Sequence, residues 1–186
     1  MNKMLASLVL ATGLFGASNI VSVADNVKEL KRMSYHQKLI MLQGFKYGLK
    51  SDLGYSMAVI GWQESKSGKY KVNLDDPSFG IYHNLLSSVL KRANVRNSSY
   101  YRNKYANKLL QDDDFARSQA LSELLYWNSY HLARTGKKGI WQKTIRSYNA
   151  GGSWRSKDAE SYFRNIVNKI KALKTIKFFK SIDKMK

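Results

Sequence analysis

A chain of 186 residues can bury one core of ordinary size and is too short for two unless one is very small. Hydrophobic residues make up 44% and aromatics 12%, too many for a disordered chain, and the lack of cysteine excludes disulfides, thiolate metal sites and a Cys nucleophile. Against 13 Asp and Glu stand 32 Lys and Arg, a formal +19 that implies a polyanionic partner: nucleic acid, an anionic membrane surface or an acidic envelope polymer.

Residues 1–24 read as a secretory signal. Lys3 precedes an apolar run from Met4 to Ala17 interrupted by Ser7 and Thr12, and Ser22-Val23-Ala24 offers small residues for cleavage before Asp25. The run falls short of the ~20 residues of a spanning helix, although its weakly polar continuation to Ala24 also fits an uncleaved anchor. The mature domain is then 25–186, in the periplasm or cell envelope, with 31 basic and 13 acidic residues, a net +18. Export sets nucleic acid aside as a partner.

Helical spacing dominates the rest, which predicts an all-α domain with at most a short extended segment. Ser34 and Gln37 have the spacing of a capping box and open a helix that runs through Leu39, Leu42 and Tyr47 to Gly48. A second helix begins at Ser51 or Asp52 and aligns Leu53, Met57, Ile60 and Gly61 on one face, with Glu64 next on that face. Residues 69–74 alternate as an extended piece and end in the turn Asp75-Asp76-Pro77. Further helices are predicted over 84–94 and 100–110. Asp112 to Asp114 suit the positive end of another, whose core face is Leu121, Leu124, Leu125 and Leu132 and whose stop is Arg134, Gly136 and Lys137. Ile140 to Asn149 aligns Trp141, Ile145 and Tyr148 before Gly151-Gly152. The last helix, 158–180, aligns Tyr162, Ile166, Ile170 and Leu173, with Lys169, Lys171, Lys174, Lys177 and Lys180 away from that stripe.

Glu64 is the main candidate for chemistry. The helical period aims its carboxylate along a buried face near a helix C-terminus, where desolvation and the helix dipole both disfavour the anion and suit a general acid. A glutamate swinging out at a frayed helix end, or paired with an arginine, fits the same spacing. Asp75 and Asp76 could supply a second carboxylate, although turn chemistry before Pro77 also accounts for them. The histidines His36, His83 and His131 have no metal-ligand spacing, and no metal or other cofactor is expected. The aromatic residues read either as core or as sugar platforms, with Tyr82, Trp127 and Trp154 the candidates for a cleft.

Four words in order carry a resemblance: Glu64-Ser65, then Ser78-Phe79-Gly80-Ile81-Tyr82-His83, then Ser147-Tyr148-Asn149-Ala150-Gly151, then Tyr162 in the final helix. Together, over roughly residues 36–173, they resemble the soluble lytic transglycosylase domain of the lysozyme-like superfamily. The resemblance implies a helical lysozyme-like fold that cleaves the β-1,4 bond between N-acetylmuramic acid and N-acetylglucosamine of peptidoglycan. Glu64 would act as acid and then as base, with the muramoyl 6-hydroxyl as nucleophile and a 1,6-anhydromuramoyl end as product. Such a reaction needs one carboxyl group rather than the usual pair.

The resemblance further implies substrate-binding roles for Ser65, Gly80, Tyr82, His83, Tyr148, Asn149 and Tyr162. Ser65 would steady the muramoyl acetamido region or Glu64, Tyr148 and Asn149 would bond Glu64 or the sugar, and Tyr162 would close the site. This sequence departs from the family where His83 stands in place of a glutamine, and Ser147 in place of an alanine. The family's acidic residue ahead of the late tyrosine corresponds to Asp158 or Glu160. The basic tail from about Lys174 is either a solvated end or an adhesive for anionic envelope polymer or membrane. Other readings are a hydrolytic muramidase, a non-catalytic wall-binding protein on the same fold, and a cationic membrane-active protein.

Overall fold

The computed structural model describes residues 20–179, so the apolar part of the predicted export signal lies outside the described residues. The domain is all-α with one small sheet. Its helices are α1 (Val23–Arg32), α2 (Tyr35–Gly48), α3 (Gly54–Ser65), α4 (Leu86–Arg92), α5 (Ser99–Gln111), α6 (Asp113–Thr135), α7 (Ile140–Ala150) and α8 (Lys157–Thr175). Strands β1 (Val72–Asn73), β2 (Ser78–Phe79) and β3 (Asn84–Leu85) pair antiparallel in that order.

The predicted capping box is present: Ser34 Oγ accepts from the Gln37 amide, and Gln37 Oε1 accepts from the Ser34 amide. Asp112 caps α6 by accepting from the Phe115 amide. α3 is the axis of the core, with Met57, Val59, Ile60 and Trp62 fully buried, and α2, α6 and α8 pack around it. Because α3 is enclosed on nearly every side, a charged side chain in its C-terminal turn reaches water only where the shell opens.

The opening is at the sheet. Pairing Asn73 with Ser78, and Ser78 with Leu85, puts these three side chains on one face of the pleat, toward a cleft. Gly80 lets β2 turn away from that face: its φ is +81°, and a Cβ there would sit 2.6 Å from the Leu109 carbonyl oxygen.

Four expectations are corrected. Helix α1 lies where the sequence suggested no element. Ser22 caps it, Asn26 and Leu30 are its buried positions, and Ala24 lies in its first turn. Just ahead of it, the Val21 amide donates to Asn165 Oδ1 (2.9 Å) and its carbonyl accepts from Asn168 Nδ2 (2.9 Å). Lys169 does not face away from the core: it is 3% exposed, donates to Asn26 Oδ1 at 3.1 Å and lies 4.3 Å from the Trp62 ring centre. α8 must cover both α1 and α3, so its buried face is wider than one apolar stripe. On α6, Leu124 is buried but Leu125 and Leu132 are 43% and 44% exposed, since that helix is covered on one side only.

The fourth correction concerns the C-terminal tail. Phe178 is 2% exposed, and Phe179 stacks on Phe45 with ring centres 4.1 Å apart. The core therefore extends past Lys174, and the described chain to Phe179 is part of the domain rather than a free basic end.

Candidate functional site

A cleft of about 450 Å³ opens between the sheet, α6, and the α7–α8 connection, with the end of α3 at its floor. Glu64 occupies that floor with its side chain 19% exposed. Its carboxylate is held from two directions. The Tyr162 hydroxyl, on the first turns of α8, donates to Oε1 at 2.6 Å, and His83 Nδ1, from the turn between β2 and β3, lies 3.6 Å from Oε2. The Tyr162 hydroxyl is pushed well above its ordinary pKa by burial and then by the Glu64 charge, so it is a fixed donor.

His83 is positioned by its other nitrogen, which meets the Tyr70 carbonyl at 2.8 Å. Burial disfavours the charged ring, but the Glu64 carboxylate, the Tyr70 carbonyl and the charge of Asp76 outweigh it and raise its pKa above 6.5. Asp76 also lines the cleft. It accepts from Asn73 Nδ2 (2.8 Å) and Ser78 Oγ (3.0 Å). Burial raises its pKa against the Ser78 bond, and the Glu64 charge adds to the rise.

The opposite wall belongs to α4 and α6. Glu123 accepts from Trp127 Nε1 at 2.7 Å and is paired with Arg92, which also donates to Gln119 at 3.0 Å. Glu64, Asp76, Glu123 and Asp158 all line this cleft, and Arg92 is the one Lys or Arg among its lining residues. In a chain of +19, this concavity is set apart by its concentration of acidic side chains.

Of the site residues drawn from the sequence, the structure brings Glu64, His83, Tyr148, Asn149 and Tyr162 to the cleft. Tyr148 does not bond Glu64; its hydroxyl donates to the Tyr82 carbonyl at 2.9 Å and locks α7 to the sheet. Three residues are not cleft-lining. Ser65 is fully buried: its hydroxyl donates to the Ile81 carbonyl (2.6 Å) and accepts from the Gly68 amide (2.8 Å), tying the end of α3 to the turn beyond it. Gly80 shapes the backbone. Tyr82 is 1% exposed, and its phenol ring packs inward against α2 and α3. These three hold the scaffold of the site rather than touch what it binds.

Among the aromatic candidates, Trp127 lines the cleft, whereas Trp154 packs edge-on against His131 (5.2 Å) beneath the Arg155 guanidinium (4.1 Å). Asp158 faces the cleft, and Glu160 is instead paired with Arg146 and with Arg164 at 2.8 Å. Sequence reasoning missed Glu123 and Arg92. The i, i+4 spacing of Glu123 and Trp127 on α6 was the available signal.

No family model matches the chain, and no solved structure matches it. It is 32% identical over 139 residues to a 20.7 kDa protein of Enterobacteria phage T4, from the vs-regB intergenic region, over 72% of this chain and 70% of that one. The chain belongs to that phage protein's family. The relative is described as uncharacterized, so the family brings no activity with it.

Proposed function

We propose that the protein is an exported peptidoglycan-cleaving enzyme, a lytic transglycosylase in which Glu64 serves as acid and then as base. The observation that carries this reading is the setting of Glu64: a carboxyl group at the floor of an open cleft, with Tyr162 on one oxygen and His83 facing the other. Residues from all four motif words line that cleft, from positions as far apart as 64 and 162. Cleft walls bearing Trp127, Asn149 and acidic acceptors are suited to a polar sugar chain, which offers hydroxyl donors and apolar ring faces. No cofactor or metal is invoked.

In the proposed reaction Glu64 gives its proton to the glycosidic oxygen as the bond to the muramoyl anomeric carbon breaks. The muramoyl 6-hydroxyl then attacks that carbon and returns its proton to Glu64, leaving a 1,6-anhydro end. Because the nucleophile is tethered to the reacting carbon, the protein need only protonate and orient. The basic surface would hold the anionic wall or membrane around the acidic cleft.

Asp76 favours a second reading, a hydrolytic muramidase. Its carboxyl lines the same cleft and is close enough to feel the Glu64 charge, and paired carboxylates are the usual means of activating water in glycoside hydrolysis. Digestion of purified sacculi followed by mass spectrometry tests both: anhydro ends support the transglycosylase, reducing ends the hydrolase. Glu64→Gln should lower cleavage by about 10²- to 10⁴-fold, the usual worth of general acid–base help. A folded variant that still clears sacculi at the wild-type rate removes Glu64 from the chemistry.

A further inference from the structure

The contacts of His83 fix where its protons can be. The Tyr70 carbonyl can only accept, so Nε2, 2.8 Å from it, must carry a hydrogen. In a neutral ring with that tautomer, Nδ1 bears a lone pair, and it points at Glu64 Oε2. An ionised carboxylate also presents only lone pairs there, and its other oxygen is already occupied by Tyr162. Two bare acceptors face to face repel, and one hydrogen between them turns the contact into a charge-assisted bond. The 3.6 Å separation is a few tenths of an ångström beyond a hydrogen bond, so a small side-chain adjustment brings the two atoms into range.

We propose that Glu64 and His83 hold a single proton between them, and that this pair, rather than Glu64 alone, is the proton store of the reaction. The proposal rests on the functional reading above. The charged groups facing the ring are both acidic, Glu64 from α3 and Asp76 from the β1–β2 turn. The hydroxyls of Tyr162 on α8 and Tyr148 on α7, both pushed well above their ordinary pKa by burial, stay neutral beside Glu64.

The proton balance closes. The shared hydrogen passes through Oε2 to the glycosidic oxygen, which leaves as a hydroxyl, and the pair becomes carboxylate and neutral imidazole. Attack by the 6-hydroxyl returns one hydrogen to the pair. His83 acts through Glu64, so it is a positioning residue whose signature is the pH at which the acid is lost. A proton bound by two sites is lost at a higher pH than one bound by a carboxylate alone. Glutamine at 83 can donate to the carboxylate but cannot store the proton.

The test has two arms on the full chain. In the first, pH–rate profiles on sacculi are compared for wild type and His83→Gln. The alkaline limb should move to lower pH by about one unit or more in the variant. In the second, the ring nitrogens of His83 are titrated by ¹⁵N NMR in wild type and Glu64→Gln. Nε2 should carry the hydrogen above the titration, and the ring pKa should drop when the carboxylate is replaced. An unmoved alkaline limb in a folded His83→Gln, or ring nitrogens that titrate alike in the two proteins of the second arm, overturns the shared proton. Should the wild type cleave no glycan, the functional reading fails and the second arm still decides the pair.

Discussion

The Tyr162 hydroxyl meets Glu64 Oε1 at 2.6 Å across 98 residues of chain, so the first turns of the last helix complete the site that the third helix begins. Both groups are largely removed from water, Tyr162 at 6% and the Glu64 side chain at 19% exposed, and a hydrogen bond to a charged group in such a place is worth about 1.5–3 kcal/mol.

Tyr162→Phe keeps the ring and removes that donor. The variant should retain its fold and lose about tenfold or more in the rate of sacculus clearance. Comparing kcat with thermal melting checks this: equal rates in the two proteins would show that the hydroxyl contributes only to packing.

Burial, partly offset by the Glu29 charge, pushes the Lys169 ammonium down to about 8 from 10.5. A folded-state pKa below the unfolded one means that the unfolded chain binds the extra proton between those two values. Folding is therefore opposed below about pH 8, and the opposition fades as pH rises toward 10.5. Subtracting the stability curve of Lys169→Met from that of the wild type, by urea denaturation, should leave a difference that moves in the wild type's favour across this window. A flat difference would mean that the group keeps its charge in the folded state.

The segment ahead of α1 is anchored rather than loose. A chain beginning at Ile20 retains the Ser22 cap and the two Val21 bonds to Asn165 and Asn168, and one beginning at Asp25 loses all three. A cap alone is commonly worth about 1 kcal/mol, so the shorter chain should melt several degrees lower. Identical melting temperatures would make cleavage after Ala24 structurally free.

At the other end, a chain stopping after Phe179 should fold as the whole chain does, with weaker, less salt-sensitive binding to sacculi as the terminal lysines are lost. A chain stopping after Leu173 also loses Phe178 and Phe179, and removal of one buried phenylalanine typically costs about 3–5 kcal/mol. Circular dichroism melts separate the two.

The parts of this molecule that obey a simple period were legible in the sequence. Met57, Ile60 and Glu64 share one face because a helix repeats every few residues, and that repeat also put the carboxylate at the floor of the cleft. The capping box of α2 and the acidic start of α6 are local signals, read without knowledge of the fold. What was not legible depends on partners distant in sequence. Lys169 looks like one more surface lysine until Asn26 and Trp62 are brought against it, 143 and 107 positions away. Ser65 follows the catalytic candidate directly, yet one step along a helix turns a side chain by ~100°, from the cleft into the core. The tail from Lys174 reads as charge, and its phenylalanines matter only because Phe45 is waiting for them.

Helix α8 carries Tyr162 for the cleft at its start and Asn165, Asn168 and Lys169 for the N-terminal segment one to two turns later. During synthesis, α1, α3 and α7, the helices that pack on α8, leave the ribosome before α8 does. The first helix then has its main packing surface missing, and Glu64 lacks its tyrosine, until nearly the whole chain has emerged. On the proposed reading, a partly made copy cannot yet attack a wall, and a chain threaded unfolded through a membrane would gain its finished site only on the far side.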